Sequence, residues 1–148
     1  MGNYAENRKA RFDYEILQKY EAGIELLGSE VKSVRGGQMS LEGSFVIIRG
    51  GEAYIINANI PPYQPKNAPK DYDPVRNRKL LLTKKEIAEL AGSEKNKSLT
   101  IVPISVYNKG RKIKVEIALV KGKKKHDKRE TIKKRETDRE IRREFKER

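Results

Sequence analysis

The sequence contains no cysteine, no tryptophan and only one histidine, His126. Without cysteine there is no disulfide framework and no thiolate nucleophile, and a single histidine cannot build a zinc site or a histidine triad. Two acidic pairs, Glu42 with Glu52 and Asp71 with Asp73, have no further residues at metal-ligand spacing around them. We therefore expect a protein that is not an enzyme and that requires no metal and no cofactor.

Long hydrophobic runs are also missing. No apolar run approaches the roughly 20 residues that a helix needs to cross a bilayer. Residues 1–11 lack the apolar segment of a signal peptide. These two absences predict a soluble, cytoplasmic protein without a membrane partner.

The charge of the chain indicates a polyanionic partner. Of its 148 residues, 34 are Lys or Arg and 21 are Asp or Glu, which gives a formal net charge of +13. Such an excess of cations attracts nucleic acid. Only 7% of the residues are aromatic, which leaves a poor stacking platform for a general single-strand binder. The composition therefore favours a polyanionic partner other than single-stranded nucleic acid in general.

The charge is unevenly distributed, because residues 121–148 hold 14 Lys or Arg against 7 Asp or Glu. The only sizeable apolar side chains of this segment are Ile132, Ile141 and Phe145, which do not form one helical stripe. Opposite charges recur at helical spacing, but each such pair stabilises a helix only weakly. We predict an RNA-binding domain over residues 1–120 and a basic tail over residues 121–148 that is disordered when free and helical when bound.

The domain carries the patterns of antiparallel strands. In residues 111–120 apolar side chains alternate with charged or small ones, which is the period-two pattern of a half-buried strand. This alternation directs Lys114 away from the core. Residues 100–107 are rich in β-branched side chains, and residues 108–110 predict a hairpin loop between the two segments.

Further strands are expected nearer the N-terminus. The Gly50-Gly51 pair predicts a hairpin between residues 44–49 and 52–60. Residues 16–27 form either one long bent strand or a strand pair, with Gly23 as the bend or bulge.

Helices are expected to be few and short. Thr83 and Glu86 have the spacing of a capping box, and Gly92 is the expected end of that helix. Ser29 is the expected N-cap of a second helix that ends at Gly36. With a long Pro-rich loop over residues 61–77, these elements predict a mainly β fold, a small OB-like antiparallel barrel of about six strands with two or three short helices.

Several segments, in this order and spacing, resemble the SmpB family of bacterial tmRNA-binding proteins. They are NRKAR (7–11) with DY (13–14), YEAGI (20–24), GSEVKSVR (28–35), GEA (51–53), DP (73–74) with Arg76, RKLLL (78–82), KGKK (121–124) and HDKR (126–129).

The resemblance implies an OB-like barrel that grips the tRNA-like domain of tmRNA and a tail that enters the empty mRNA channel of a stalled ribosome. The complex then occupies the A site without a codon. The resemblance also implies that the protein supports alanylation of tmRNA and its delivery with elongation factor Tu, so that this factor and alanyl-tRNA synthetase are partners through tmRNA. We expect a monomer. Phe12, Tyr72 and Asn108 depart from the family pattern.

The candidate RNA-binding residues combine side-chain chemistry with this resemblance. Basic side chains suit phosphate contact, although any one of them alone is equally typical of a solvated face. Leu81 is the member of the Leu80–Leu82 run that the resemblance places against RNA, with a core position as the alternative. Glu21 can accept hydrogen bonds from a guanine edge or a ribose hydroxyl, with an ion pair or a turn as the alternative. The full set is Asn7, Arg8, Lys9, Arg11, Glu21, Lys32, Arg35, Leu81 and Lys114.

The resemblance also marks a ribosome-facing motif in the tail, directed to the decoding centre and the mRNA channel. Its residues are Gly122, Lys123, Lys124, His126, Asp127, Lys128 and Arg129.

Two other functions are alternatives, a structural protein of the ribosome and an RNA-processing enzyme. A structural protein of the ribosome would also be small and basic, with a barrel and a tail that folds into rRNA. It would reside permanently in ribosomes, whereas a rescue factor would be found on a subset of them together with tmRNA. An RNA-processing enzyme is disfavoured because the chain lacks catalytic groups.

Overall fold

The structure is a computed structural model that describes residues 3–122, and these residues form seven strands and three α-helices. The fold is mainly β and antiparallel, as predicted. The elements in chain order are β1 (Ala5–Glu6), α1 (Arg8–Asp13), β2 (Tyr14–Ile24), α2 (Gly28–Arg35), β3 (Phe45–Arg49), β4 (Glu52–Ile56), a 3-10 turn (Pro65–Asn67), β5 (Arg78–Leu81), α3 (Lys84–Glu94), β6 (Leu99–Lys109) and β7 (Lys112–Gly122).

Six of the strands close into a barrel. β6 pairs with β7, β7 with β2, β2 with β5, β5 with β4, β4 with β3, and β3 returns to β6. The last of these junctions is short, since only Val46 and Ile101 are in register there. The two-residue strand β1 adds to β6 outside the ring. This closure confirms the predicted barrel and leaves β1 as an element that the sequence pattern did not predict.

The hairpins form where glycines permit positive φ. Gly50 and Gly51 have φ of 58° and 75°, which L side chains rarely adopt, and they join β3 to β4 as predicted. At the other hairpin, Lys109 pairs with Lys112, so the loop consists of Gly110 and Arg111. The predicted loop over residues 108–110 is therefore shifted, and Asn108 belongs to β6.

β2 is one long strand whose bulge lies at Leu17, where the register shifts between Ile16 and Gln18. The prediction of a bulge at Gly23 was wrong. Gly23 is instead in register with both Leu81 of β5 and Lys114 of β7. A Cβ added there would lie 3.2 Å from the Leu81 Cβ, so glycine allows β5 to approach β2 closely.

β7 is longer than its alternating pattern, because Lys121 and Gly122 continue its pairing with Glu15 and Tyr14. A domain that ends at residue 120 would cut the strand before its last two residues. The barrel therefore extends to Gly122.

The hydrophobic core has two parts. The larger part fills the barrel, and Val34 of α2 and Leu90 of α3 pack into it. The smaller part lies under α1, where Ala10 packs against Val102 and Ala118. The parts of β6 and β7 that lie under α1 are therefore buried on both faces, against the barrel interior on one side and against α1 on the other.

The helix termini partly follow the sequence signals. Thr83 caps α3 and Glu86 completes the capping box, as predicted. Gly92 does not end the helix, which continues to Glu94. In α2 the N-cap is Leu27 rather than Ser29, because the side chain of Glu30 accepts the Leu27 N–H at 2.8 Å. The carboxylate supplies the half of a capping box that belongs to the third helical residue, whereas Leu27 has no side-chain acceptor for the half that a serine N-cap would supply.

A buried ionic cluster joins α2 to β5 and to the loop over residues 61–77. The side chains of Glu30 and Arg78 are 1% and 0% exposed, and Arg78 Nη2 donates to Glu30 Oε2 at 2.6 Å. Arg76 and the Tyr72 hydroxyl donate to the same carboxylate. Arg78 also donates to the backbone carbonyls of Ala58, Pro74 and Arg76. The cluster therefore fixes the loop and α2 relative to the barrel.

Residues 3–122 contain neither a membrane-spanning helix nor a cluster of metal ligands. None of the helices in this part of the chain is long and apolar enough to cross a membrane. These residues also contain no group of three or more His, Cys, Asp or Glu side chains placed to hold a metal ion.

Candidate nucleic-acid interface

A groove of about 370 Å³ runs between α2 and the barrel. It brings together three candidate residues from distant parts of the chain, namely Arg35 of α2, Leu81 of β5 and Lys114 of β7. Because the strands β5, β2 and β7 are neighbours in the barrel, residues that lie far apart in sequence reach one surface.

The groove combines an apolar floor with a cationic rim. Leu81 is 49% exposed whereas Leu80 is 1% exposed, so the strand directs Leu81 outward, as expected. The rim carries Arg35, Lys114 and two cations of the β6–β7 hairpin, Arg111 and Lys112. Arg35 Nη2 donates to the backbone carbonyl of Arg111 at 3.1 Å, which ties α2 to the hairpin. Apolar contact with a base and cationic contact with phosphates can therefore occur side by side.

Glu21 lies beside this groove. It belongs to an ion pair and to strand β2 rather than to a turn. Its carboxylate accepts hydrogen bonds from the Tyr107 hydroxyl at 2.5 Å and from Lys109 Nζ at 2.9 Å. These two bonds lower the pKa of Glu21, and Lys114 contributes a further Coulombic attraction. An ionised carboxylate has capacity for about four hydrogen bonds, so Glu21 can still accept bonds from RNA.

The family model described as "SmpB protein" matches residues 4–147. The chain belongs to the SmpB family. An SsrA-binding protein of Sulfurihydrogenibium is 57% identical over 142 residues, which cover 96% of this chain and 93% of the relative. An SsrA-binding protein of Gloeothece citriformis is 51% identical over 141 residues, which cover 95% of this chain and 91% of the relative.

A solved structure agrees with the SmpB assignment. One of its chains matches with a TM-score of 0.68 and 49% sequence identity, over 81% of this chain and 84% of that chain. The structure is described as "tmRNA-SmpB: a journey to the center of the bacterial ribosome". The similarity therefore extends to both sequence and fold.

The remaining basic candidates lie in two other places. Arg8, Lys9 and Arg11 are exposed on α1, and Arg8 is 3.8 Å from Glu6. Lys32 is exposed on α2, where it lines a second concavity, formed with the loop over residues 61–77. The nine candidates therefore do not form one continuous patch around the groove.

Asn7 has a structural role in the fold that the sequence pattern did not predict. The residue is 7% exposed and caps α1, since its Oδ1 accepts the Ala10 N–H at 3.2 Å. Its Nδ2 donates to the Pro103 carbonyl at 3.0 Å. Both ends of this amide are therefore hydrogen-bonded within the fold, and the RNA contact expected of Asn7 stays a prediction.

The expected ribosome-facing motif of the SmpB tail lies almost wholly outside the described residues. Lys123, Lys124, His126, Asp127, Lys128 and Arg129 all fall there. Gly122 is described, and it is the last residue of β7.

Two of the departures from the SmpB pattern belong to the fold. The Tyr72 hydroxyl, which donates to the buried Glu30 carboxylate at 3.0 Å, also lies 2.7 Å from the Ile60 carbonyl, the alternative acceptor for its one proton. Asn108 Nδ2 donates to the Gly110 carbonyl within the hairpin. Phe12 is half-buried on α1.

Four groove-side residues were missed by sequence reasoning. Lys112 shares a face with Lys114, and the period-two alternation contained that signal. Arg111 is placed by the hairpin, and Tyr107 and Lys109 by the pairing of β6 with β7, which no local pattern specifies.

Proposed function

We propose that the chain binds the tRNA-like domain of tmRNA through the groove and brings this RNA to stalled ribosomes in the bacterial cytoplasm. The observation that carries the proposal is the meeting of Arg35, Leu81 and Lys114 on one surface beside Glu21. Relatives named for binding SsrA, which is tmRNA, support it.

The groove contains the types of group that specific RNA recognition requires. Lys114 and Arg35 can replace counterions on phosphates, which supplies salt-dependent affinity. Leu81 offers an exposed apolar surface to a base or a sugar. Glu21 offers a hydrogen-bond acceptor. Because its negative charge repels phosphate, it favours only an RNA that places a hydrogen-bond donor there. The acceptor makes the site selective, because a cationic surface alone would bind any RNA.

We also propose a division of labour after Gly122. The barrel binds tmRNA, and the basic residues 123–148 occupy the empty mRNA channel, where their Lys and Arg side chains pair with rRNA phosphates as the segment folds. Elongation factor Tu and alanyl-tRNA synthetase are then partners through tmRNA. The alternative, a structural protein of the ribosome, is less well supported, because the relatives carry the name of SsrA-binding proteins.

The division is tested by deleting residues 123–148, which leaves the whole of β7 in place. We expect tmRNA binding to survive and peptide tagging on ribosomes without a downstream codon to be lost. Loss of the tail charge lowers nonspecific attraction to RNA, and this loss shrinks as salt screens charges over a Debye length of about 8 Å. The measurement is tmRNA affinity at several salt concentrations in parallel with tagging.

An unrelated RNA of the same length is the control for specificity. The full chain is expected to prefer tmRNA over this RNA at every salt concentration. Equal affinity for both RNAs would overturn the proposed specificity, and tagging by the truncated protein would overturn the division at Gly122.

A further inference from the structure

A second concavity of about 360 Å³ adjoins α2, separate from the groove. It is formed by the N-terminal half of α2 and by the loop over residues 61–77, which the ionic cluster of Glu30 and Arg78 holds in place. Its lining includes a cation, an exposed aromatic ring, two side-chain amides and apolar prolines. These residues are Lys32, Tyr63, Gln64, Asn67, Pro62 and Pro69.

We infer that this pocket binds one unstacked nucleotide of the same RNA that the groove holds. The base lies against Tyr63, its edge meets Gln64 and Asn67, and its phosphate meets Lys32. The inference rests on the proposed function, since it requires that the groove bind RNA.

Tyr63 is the stacking surface. Tyr63 is 44% exposed and lines the concavity, so it is accessible to a ligand there. Lys32 Nζ is 6.0 Å from the ring centroid. Lys32 forms no ion pair within residues 3–122, so its flexible side chain is free to move from the ring to a phosphate. An unstacked base in a protein pocket is typically held by an aromatic face and a nearby cation in this way.

The two amides are oriented to read a base edge. Asn67 Nδ2 donates to Gln64 Oε1 at 2.9 Å, which holds the two side chains together. Within the described part of the chain, Asn67 Oδ1 and Gln64 Nε2 have no hydrogen-bond partner. At the lining of the pocket the pair therefore keeps one acceptor and one donor for a ligand. Base edges present donors and acceptors side by side, which such a pair can match.

The position of α2 connects the pocket to the groove. Lys32 and Arg35 are three residues apart and therefore lie on the same exposed face of the helix. Lys32 lines the pocket and Arg35 lines the groove. A strand that crosses α2 can thus keep successive phosphates near both cations while one base leaves the stack and enters the pocket.

The test is the affinity of the full chain for the tRNA-like domain of tmRNA, measured by fluorescence anisotropy over a range of salt. Tyr63→Ala is expected to weaken binding by about fivefold or more, because base stacking on an aromatic ring is lost. Tyr63→Phe keeps the ring and should remain within about twofold of wild type. The slope of log affinity against log salt should stay unchanged in Tyr63→Ala and fall by about one ion in Lys32→Gln.

Val75→Ala is the matched control, since Val75 is 43% exposed in the same loop and does not line the pocket. Its affinity should equal that of wild type. One result would contradict the nucleotide pocket: Tyr63→Ala binds tmRNA as tightly as Val75→Ala, while Lys114→Ala binds weakly. The assignment of the groove would then remain, and the pocket would instead be a candidate site for a protein partner. If wild type itself does not prefer tmRNA to unrelated RNA, the proposed function fails and the pocket assignment fails with it.

Discussion

Glu21 and Glu30 are both bound by basic side chains, but in opposite surroundings. The Glu30 side chain is 1% exposed and receives Arg76 and Arg78, whereas the Glu21 side chain is 37% exposed and receives Lys109. Around Glu30 the guanidinium of Arg78 is fully occupied by the carboxylate and by backbone carbonyls. Glu21 keeps acceptor capacity toward solvent.

The difference shows that charged residues serve two purposes in this chain. Buried charges must be paired inside the fold because an unpaired buried charge is costly, so the Glu30 cluster holds α2 and the loop in place. Exposed pairs contribute little to stability and remain available to a partner. The cluster therefore fixes the positions of Lys32 and Arg35, while Glu21 and Lys109 remain exposed to solvent.

The largest effect is expected from Arg78→Ala. This change leaves the Glu30 carboxylate buried with fewer partners and should lower the free energy of unfolding by about 3–5 kcal/mol in urea denaturation. Lys79→Ala on the same strand is the control. Lys79 is 35% exposed and pairs with Glu52 at 2.9 Å at the surface, so its loss should change the free energy of unfolding far less than the loss of Arg78. Equal effects of the two changes would contradict the structural role of the cluster.

Acid should weaken the same cluster. Burial raises the pKa of Glu30, but hydrogen bonds from Arg76, Arg78 and the Leu27 N–H outweigh burial and lower this pKa from 4.5 to about 2. Because the folded-state pKa is below the unfolded one, the stabilisation is fully present above the unfolded value and is lost as the pH falls toward 2. The loss amounts to about 3 kcal/mol.

Urea denaturation of wild type and Glu30→Gln over this pH range isolates the contribution of Glu30 from those of other carboxylates. The difference in unfolding free energy between the two proteins should shrink as the pH falls. A difference that stays constant with pH would show that the carboxylate charge is not what stabilises the cluster.

The fold was largely predictable where a local pattern determines it. The alternation in β7, the Gly50-Gly51 hairpin and the capping box of Thr83 all correspond to elements in the structure. α1 was not predicted, because its six residues depend on the Asn7 cap and on tertiary packing of Ala10.

Parts of the site could not be read from local sequence. An arginine is normally a surface residue, so nothing in the segment around Arg78 shows that its side chain is buried. Asn7 has the chemistry of an RNA-binding amide, and only the tertiary contact with Pro103 shows its structural role. The groove is likewise a product of topology, because it needs β5, β2 and β7 to be adjacent.

A smaller effect, on RNA affinity, is expected from Glu21→Ala. Long-range electrostatics alone predicts tighter RNA binding, because the change removes a negative charge and releases Lys109. If Glu21 instead accepts a hydrogen bond from a base or ribose, binding should weaken by about fivefold or more with a nearly unchanged salt slope. We expect the weaker binding, with an unchanged melting temperature. Tighter binding of tmRNA by the variant would rule out the contact.

The most direct test of the groove compares two lysines on neighbouring strands, Lys114 and Lys19. Lys114 lines the groove, whereas Lys19 is 54% exposed outside it and lies 3.7 Å from Glu116. Each is changed to alanine, and tmRNA affinity is measured over a range of salt. We predict that Lys114→Ala weakens binding about threefold and flattens the salt slope by about one ion, while Lys19→Ala remains close to wild type. Equal losses in the two variants would show that the net charge of the barrel attracts RNA without a defined site, and would contradict the assignment of the groove.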